Sequence, residues 1–352
     1  AYIDDMHELP GTLHAALILS PVAHGRLKSV DMSAALAMPG VIRIVLAKDI
    51  PGHNEVGPIL HGELLFAQDI VDFRGCVIGA VAAETMAQAV KAAHAVKLDI
   101  EPLSAVLDVE AAHAAKSYVQ PSQTVAEGDV AAGFAAAVRI FTGKQIIGGQ
   151  DHFYLETHIA YAIPGEDDDM LVHSSTQHPT EVQHHVAGVL GVPASKVECQ
   201  IRRMGGGFGG KESQPTIIAA AAALLAKYTR RPVKLRLRRR DDMTATGKRH
   251  HMVANWKAGI DSKGRITALD VEYLAGAGNT PDLTGPVIAR ALCHTDNAYF
   301  IPNAHFIGHA CKTNTVSNTA FRGFGGPQGV ITIEAIMDTI AREAGIDPNE
   351  LR

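Results

Sequence analysis

The chain has 352 residues, enough for two domains and a substantial core, and 47% of them are hydrophobic. Its formal charge of -5 leaves no face-wide excess of Lys and Arg to displace counterions, which argues against a nucleic-acid surface. Four cysteines, Cys76, Cys199, Cys293 and Cys311, show no C-x-x-C spacing; zinc-knuckle and iron–sulfur roles are not indicated, and buried free thiols in a reducing, cytoplasmic compartment are expected.

The longest apolar run, 217–226, is far short of the roughly twenty residues a bilayer demands, and no basic-then-apolar leader opens the chain, so no membrane association or export is expected. A chain that begins with Ala and stops at Arg352 straight after a helix is expected to be part of a longer product.

Residues 11–102 alternate short strands and helices. Strands are expected at 13–19, 41–46, 76–83 and 97–100, with a short helix capped by Asp31 and ended by Pro39-Gly40, and a longer one over 84–96. Between Pro121 and Val130 the composition shifts to Pro, Ser, Gln, Thr, Glu and Gly, as in a segment that crosses between domains. The expected division is therefore 1–120, a linker at 121–130, and 131–352.

In the second part, strands are expected at 138–147 and 170–174, and a helix at 179–190 stopped by Gly191. His184-His185 lies on that helix, where neighbours point about 100° apart, so the pair is badly placed to clasp one ion and reads as exposed; His250-His251 has the same weakness. Further strands are expected at 233–238, 253–260 and 266–274, with turns at 261–264 and 276–278. The basic run 236–240 reads as a strand with one face in solvent. A short helix over 286–292 carries Arg290, and an apolar helix follows at 330–344.

The most informative stretch is 197–230: an alternating strand, a loop with five glycines in six positions (205–210), and an apolar helix. Such a loop lets backbone N–H groups approach an anion or cofactor closely, because glycine permits positive φ and carries no Cβ. It nearly matches two nucleotide templates, G-x-G-x-x-G and G-x-x-x-x-G-K. The phosphate loop fails because Glu212 stands where Ser or Thr must hold Mg²⁺, and the dinucleotide reading fails because the region some twenty residues on is a run of arginines. G-F-G-G recurs at 323–326, again before a helix, which suggests two walls of one pocket; two independent packing turns are the alternative. A third glycine pair precedes Gln150, an uncharged side chain able to donate to an oxo group.

The motifs G-G-Q-D-H-F-Y-L-E-T (148–157), R-M-G-G-G-F-G-G-K-E (203–212), G-K-R-H (247–250) and S-N-T-A-F-R-G-F-G-G-P-Q-G (317–329) resemble those of the molybdenum hydroxylases, the xanthine oxidase family. Within it they are most similar to the N-terminal part of the molybdopterin-binding large subunit of bacterial xanthine dehydrogenases. The resemblance implies an α/β (α+β) fold, an α/β hammerhead domain followed by the first molybdopterin-binding domain. It implies molybdenum held by the dithiolene of the pterin, with no direct side-chain ligation and Gln150 near the metal. Phe208, Gly209 and Arg322 would face the cofactor. Glu212 and Arg290 match a pair that grips a purine, in both a catalytic and a substrate-binding role, and Phe324 matches an aromatic that stacks on the ring, with Phe321 its companion.

The implied activity is hydroxylation of hypoxanthine to xanthine and of xanthine to urate, by attack of metal hydroxide on carbon with hydride transfer to sulfido. An aldehyde or N-heterocycle oxidase of the same family, or an inactive cofactor-free fragment, are the alternatives. The resemblance also implies iron–sulfur clusters and FAD on partner modules, a second molybdopterin domain beyond this chain without which it is expected to be inactive, and a dimer of heterodimers. Asp151 departs from the family's usual Glu.

Overall fold

A computed structural model describes all 352 residues, which divide into two compact units interleaved along the chain. The first unit comprises residues 1–105, 151–248 and 314–319; the second comprises 106–150, 249–313 and 320–352.

The first unit is built on a seven-stranded mixed sheet. In spatial order its strands are Val197–Gln200, Met170–Ser174, Ile159–Pro164, Val233–Arg236, Leu13–Leu19, Val77–Ala83 and Val41–Leu46. Leu13–Leu19 is buried on both faces, which explains its apolar run. Leu13, Ala15 and Leu17 join one core with the helix Pro215–Thr229, while Ile18 joins another with Ala92 and Ala93 of the helix Met86–Ala95 and with Val96 that follows it. Positions 218–226 of the long helix are all buried. Its alanine run leaves no side-chain bulk between helix and sheet, and a helix apolar all round has to be covered on every side. A small sheet of Ile70–Val71, Gly25–Asp31 and Lys97–Pro102 completes the unit.

The second unit has a five-stranded sheet ordered Gln123–Glu127, Ala304–Lys312, Ile266–Gly278, Met252–Ile260 and Arg139–Ile147. Helices Thr284–Leu292 and Gly326–Ala344 share a core with one face of it, through Val287, Ile288, Ile333, Ile336 and Ile340 packed with Leu269, Val271 and Tyr273. The other face meets the short helix Val109–Ala114 around Leu274 and Cys311.

Several expectations need correction. The stretch 121–130 is no bare linker, because it contains the strand Gln123–Glu127, paired antiparallel with Ala304–Lys312. Four of that strand's five residues are exposed, so its composition resembles that of a loop. Only Gly25–Asp31, Ile70–Val71 and Lys97–Pro102 of the early strands form a sheet of their own; Leu13–Leu19, Val41–Leu46 and Val77–Ala83 belong to the larger sheet, where Leu13–Leu19 pairs in parallel with Val233–Arg236. The basic run leaves its strand at Arg236 and enters the helix Arg239–Ala245, whose first turn carries Asp241 and Asp242, favourable beside the helix N-terminus. The expected turn at 276–278 lies inside Ile266–Gly278, at a register shift between Gly276 and Gly278. Met32, one residue after Asp31, occupies the first cap position, and Asp31 instead accepts from Ser33 N–H at 2.9 Å. His185 is half-buried and its imidazolium is disfavoured mainly by burial, so only His184 of that pair is exposed.

Candidate functional site

The two G-F-G-G loops adopt the same backbone conformation. Phe208 and Phe324 both lie in the left-handed region, at φ 54° and 53°, and the next glycines, Gly209 and Gly325, follow at 96° and 95°. Each loop closes with a backbone hydrogen bond, from Gly210 N–H to the Gly207 carbonyl at 2.8 Å and from Gly326 N–H to the Gly323 carbonyl at 3.0 Å. Positive φ at both central positions with that bond defines a type I′ turn, usually made by Asn or Gly. The repeat seen in the sequence is therefore a repeat of shape.

In the first unit, the loop is held by polar side chains of neighbouring segments, the half-buried Glu156 and the exposed Gln177. Gly205 N–H donates to Glu156 Oε2 at 2.9 Å and Gly209 N–H to Gln177 Oε1 at 2.9 Å. A Cβ at Gly210 would lie 2.6 Å from the buried His152 ring, so close approach requires glycine there, whereas one at Gly207 would meet the end of the exposed Gln177 side chain, at 2.4 Å from its Oε1. Lys211 is fully buried. Its Nζ donates to the Glu156 carbonyl at 2.7 Å and to Ser175 Oγ at 2.8 Å, and sits 4.5 Å from the centre of the Tyr154 ring. Burial pulls its pKa down to about 8, against the opposing pull of Glu156.

Beside it, Asp242 accepts from Tyr154 OH at 2.7 Å and from His158 N–H at 2.7 Å, and the His158 ring reaches the Gly210 carbonyl at 3.2 Å. Burial pushes the Asp242 pKa up, but His158 and the hydrogen bonds outweigh it and hold the carboxyl below its usual range. Above this scaffold Phe208 is 49% exposed, and the N–H groups of Gly206, Gly207 and Phe208 have no partner in the chain. Glu212 follows directly, half-buried, with its N–H on the Gly209 carbonyl at 3.3 Å.

In the second unit, Arg249 is the organising residue. Its Nε donates to Gln150 Oε1 at 2.6 Å, its Nη2 donates to the Arg322 carbonyl at 3.0 Å, and its guanidinium carbon lies 3.9 Å from the centre of the Phe321 ring. It thereby fixes the Gln150 amide, whose oxygen is taken, and binds it to the second loop. Phe321 gives one ring face to Arg249, so the stacking role expected of it alongside Phe324 is not open on that side. Two buried atoms here lack partners, Arg249 Nη1 and Gln328 Oε1. Such atoms cost free energy unless a ligand or water meets them.

Arg290 is exposed, in the last turn of Thr284–Leu292, and no carboxylate pairs with it. Its Nε lies 3.8 Å from where a Cβ of Gly326 would stand, so the cation rests against the second loop next to Phe324. A Cβ at Gly325 would sit 2.0 Å from the Val287 carbonyl of the same helix. Loop and helix are therefore in backbone contact.

The expected residues thus gather in two sets. Phe208, Gly209 and Glu212 lie on the first loop, in the first unit; Gln150, Arg290, Phe321, Arg322 and Phe324 lie in the second. Sequence reading missed Arg249, Lys211, Glu156, Gln177 and Asp242. Glu156, Lys211 and Arg249 stand inside the family motifs, but only the folded structure shows that their side chains are largely removed from water.

The family model of the molybdopterin cofactor-binding domain matches residues 112–352, and that of the aldehyde oxidase and xanthine dehydrogenase a/b hammerhead domain matches 1–104. The chain belongs to the xanthine oxidase family of molybdenum hydroxylases. Its fold is that family's hammerhead domain followed by a molybdopterin-binding domain. Among relatives, it is 43% identical to the xanthine dehydrogenase/oxidase of Gallus gallus and 40% identical to the xanthine dehydrogenase of Dictyostelium discoideum, over all of this chain and 26% of each relative. It therefore spans about a quarter of the length of these curated relatives. The aldehyde oxidoreductase of Desulfovibrio gigas matches 97% of the chain with a TM-score of 0.91 at 30% identity, over 40% of its own length. Quinoline 2-oxidoreductase of Pseudomonas putida matches all of it at 0.89 and 26%, over 47% of its own length. No helix is long and apolar enough to cross a membrane.

Proposed function

We propose that this chain is the molybdopterin-binding part of a purine hydroxylase that converts hypoxanthine to xanthine and xanthine to urate. The observation that carries the reading is Arg290, an exposed guanidinium without a carboxylate partner, seated on the glycine loop that presents Phe324. Relatives named xanthine dehydrogenase or xanthine dehydrogenase/oxidase at 40–44% identity support it.

The residues present fit a molybdopterin: unpaired backbone N–H groups at 206–208 suit its oxygen-rich tail, and the orphaned Arg249 Nη1 and Gln328 Oε1 suit a polar group beside the second loop. When bound, that group supplies the two-electron oxidant and the activated oxygen. The chain's own part is positioning and charge. Gln150, its carbonyl oxygen held by Arg249, keeps its NH₂ as a neutral donor toward the cofactor. Negative charge builds on the purine as its carbon is attacked, and Arg290 stabilises that charge more in the transition state than in the ground state. Glu212 hydrogen-bonds a ring nitrogen or oxygen, and Phe324 stacks on the flat ring. Iron–sulfur and FAD modules elsewhere in the enzyme are proposed to carry the electrons onward.

A second reading is favoured by the likeness to an aldehyde oxidoreductase and a quinoline oxidoreductase. Steady-state kinetics on the complete enzyme separate the two. Arg290→Met is expected to lower kcat/KM for xanthine by about 10² or more, with molybdenum content unchanged. Xanthine turnover equal to that of the parent would refute the purine reading, and turnover of aldehyde or quinoline but not xanthine would favour the second.

A further inference from the structure

The face of the second unit's sheet that meets the helix Val109–Ala114 carries a cluster that the hydroxylase chemistry does not use. Glu272 projects from Ile266–Gly278 and His309 from the parallel neighbour Ala304–Lys312, where Glu272 pairs with Ile307 and Leu274 with His309. Glu272 and His309 are therefore diagonal neighbours on one face. His113, in the last turn of the helix, comes down on them from above. His309 Nε2 lies 3.3 Å and His113 Nε2 3.7 Å from the same oxygen, Glu272 Oε1, and the three donor atoms all lie within 4.8 Å of one another.

These spacings are those of a ligand set. Zinc bonds of about 2.0–2.2 Å in tetrahedral geometry place donor atoms roughly 3.4 Å apart. The groups behind the donors are also in place. His113 Nδ1 is 2.9 Å from Tyr118 OH, His309 Nδ1 is 2.6 Å from Ser122 Oγ, and Glu272 Oε2 accepts from Asn255 Nδ2 at 3.2 Å. A hydroxyl that accepts Nδ1–H fixes the tautomer that leaves the Nε2 lone pair for a metal, and such outer partners typically orient ligating histidines. Tyr118 also stacks on the His309 ring, centroids 5.3 Å apart and planes 18° from parallel, which sets the ring plane. The His309 side chain is 10% exposed, whereas His113 and Glu272 are 31% and 36% exposed, so one side stays open for entry and for a water as fourth ligand.

We propose that His113, His309 and Glu272 form a divalent transition-metal site that takes zinc. Two imidazoles and a single carboxylate suit zinc; calcium and magnesium want oxygen donors almost exclusively. The ion would clamp the helix Val109–Ala114 onto the sheet, three ligands from three elements 37 to 196 residues apart in sequence replacing a contact otherwise made by small residues such as Ala112.

The test is zinc binding to the complete enzyme, stripped with a chelator and titrated with Zn²⁺ alone by calorimetry, with Mg²⁺ as control. The parent is expected to bind one more zinc per chain than His309→Ala, and Glu272→Gln is expected to weaken that binding at least tenfold. Ser122→Ala removes only an outer partner; it should fold normally and weaken zinc binding by about 10–100-fold. Cobalt bound to the parent should show the strong visible bands of a tetrahedral site, and these should be absent from His113→Ala. Equal zinc stoichiometry and affinity in the parent and in Ser122→Ala, Glu272→Gln and His309→Ala would overturn the proposal. So would a parent that binds no zinc. If His309→Ala does not fold, Ser122→Ala and the cobalt spectrum of the parent decide the matter.

Discussion

Phe208 and Phe324 occupy backbone conformations that an L-residue adopts at a cost of about 1–2 kcal/mol, at positions where glycine would close the turn without strain. Nearly half of Phe208 is exposed, so burial does not repay this cost. We propose that the ring is retained for contact with the cofactor. Phe208→Gly is expected to leave stability unchanged or raise it by up to about 1 kcal/mol, the relief of strain partly offset by glycine's greater unfolded-state entropy. The same variant should retain less molybdenum. Urea unfolding of the metal-free protein and metal analysis of the complete enzyme check the two halves; a destabilised variant with full molybdenum would mean that Phe208 serves packing instead. At this scale the residues the family motifs mark were legible, whereas the buried charges beneath them were not. Lys211 reads in sequence as the lysine of an imperfect phosphate loop, yet its ammonium is enclosed by Glu156, Ser175 and Tyr154, partners 36 to 57 residues away.

The junction between the second loop and the helix Thr284–Leu292 is proposed to position the substrate. Gly325 and Gly326 are neighbours with opposite tolerances. A Cβ at Gly325 would meet the Val287 carbonyl at 2.0 Å on a backbone with φ 95°, while one at Gly326 finds its nearest neighbour, His294, at 3.5 Å. Gly325→Ala should therefore destabilise by about 2–4 kcal/mol and Gly326→Ala by less than about 1 kcal/mol, measured as the shift in urea midpoint at constant m-value. Similar losses at both positions would contradict the close packing of loop on helix. Elements with a strong local signature were legible: the helix Pro179–Leu190 announces itself by its period and by Gly191, which adopts the left-handed conformation at φ 67°. Ala304–Lys312 was missed because its sequence, A-H-F-I-G-H-A-C-K, places Gly and two His among its apolar residues, and it becomes a strand only between two partners.

Across the whole molecule, chain order and spatial order differ, since the two compact units interleave along the chain. Strand pairing such as Leu13 with Val233 spans more than two hundred residues, and nothing in the local composition announces it. The exposed edge strand Gln123–Glu127 carries the polar residues of a linker for the ordinary reason that water covers it. The same interleaving distributes the pair proposed to grip a purine, with Glu212 in the first unit and Arg290 in the second. A crystal structure of the complete enzyme with a purine bound tests their joint role most directly. The expected result is one ring with polar atoms within about 2.6–3.2 Å of both the Glu212 carboxylate and the Arg290 guanidinium, stacked on Phe324. A purine bound elsewhere, or touching neither side chain, would contradict it.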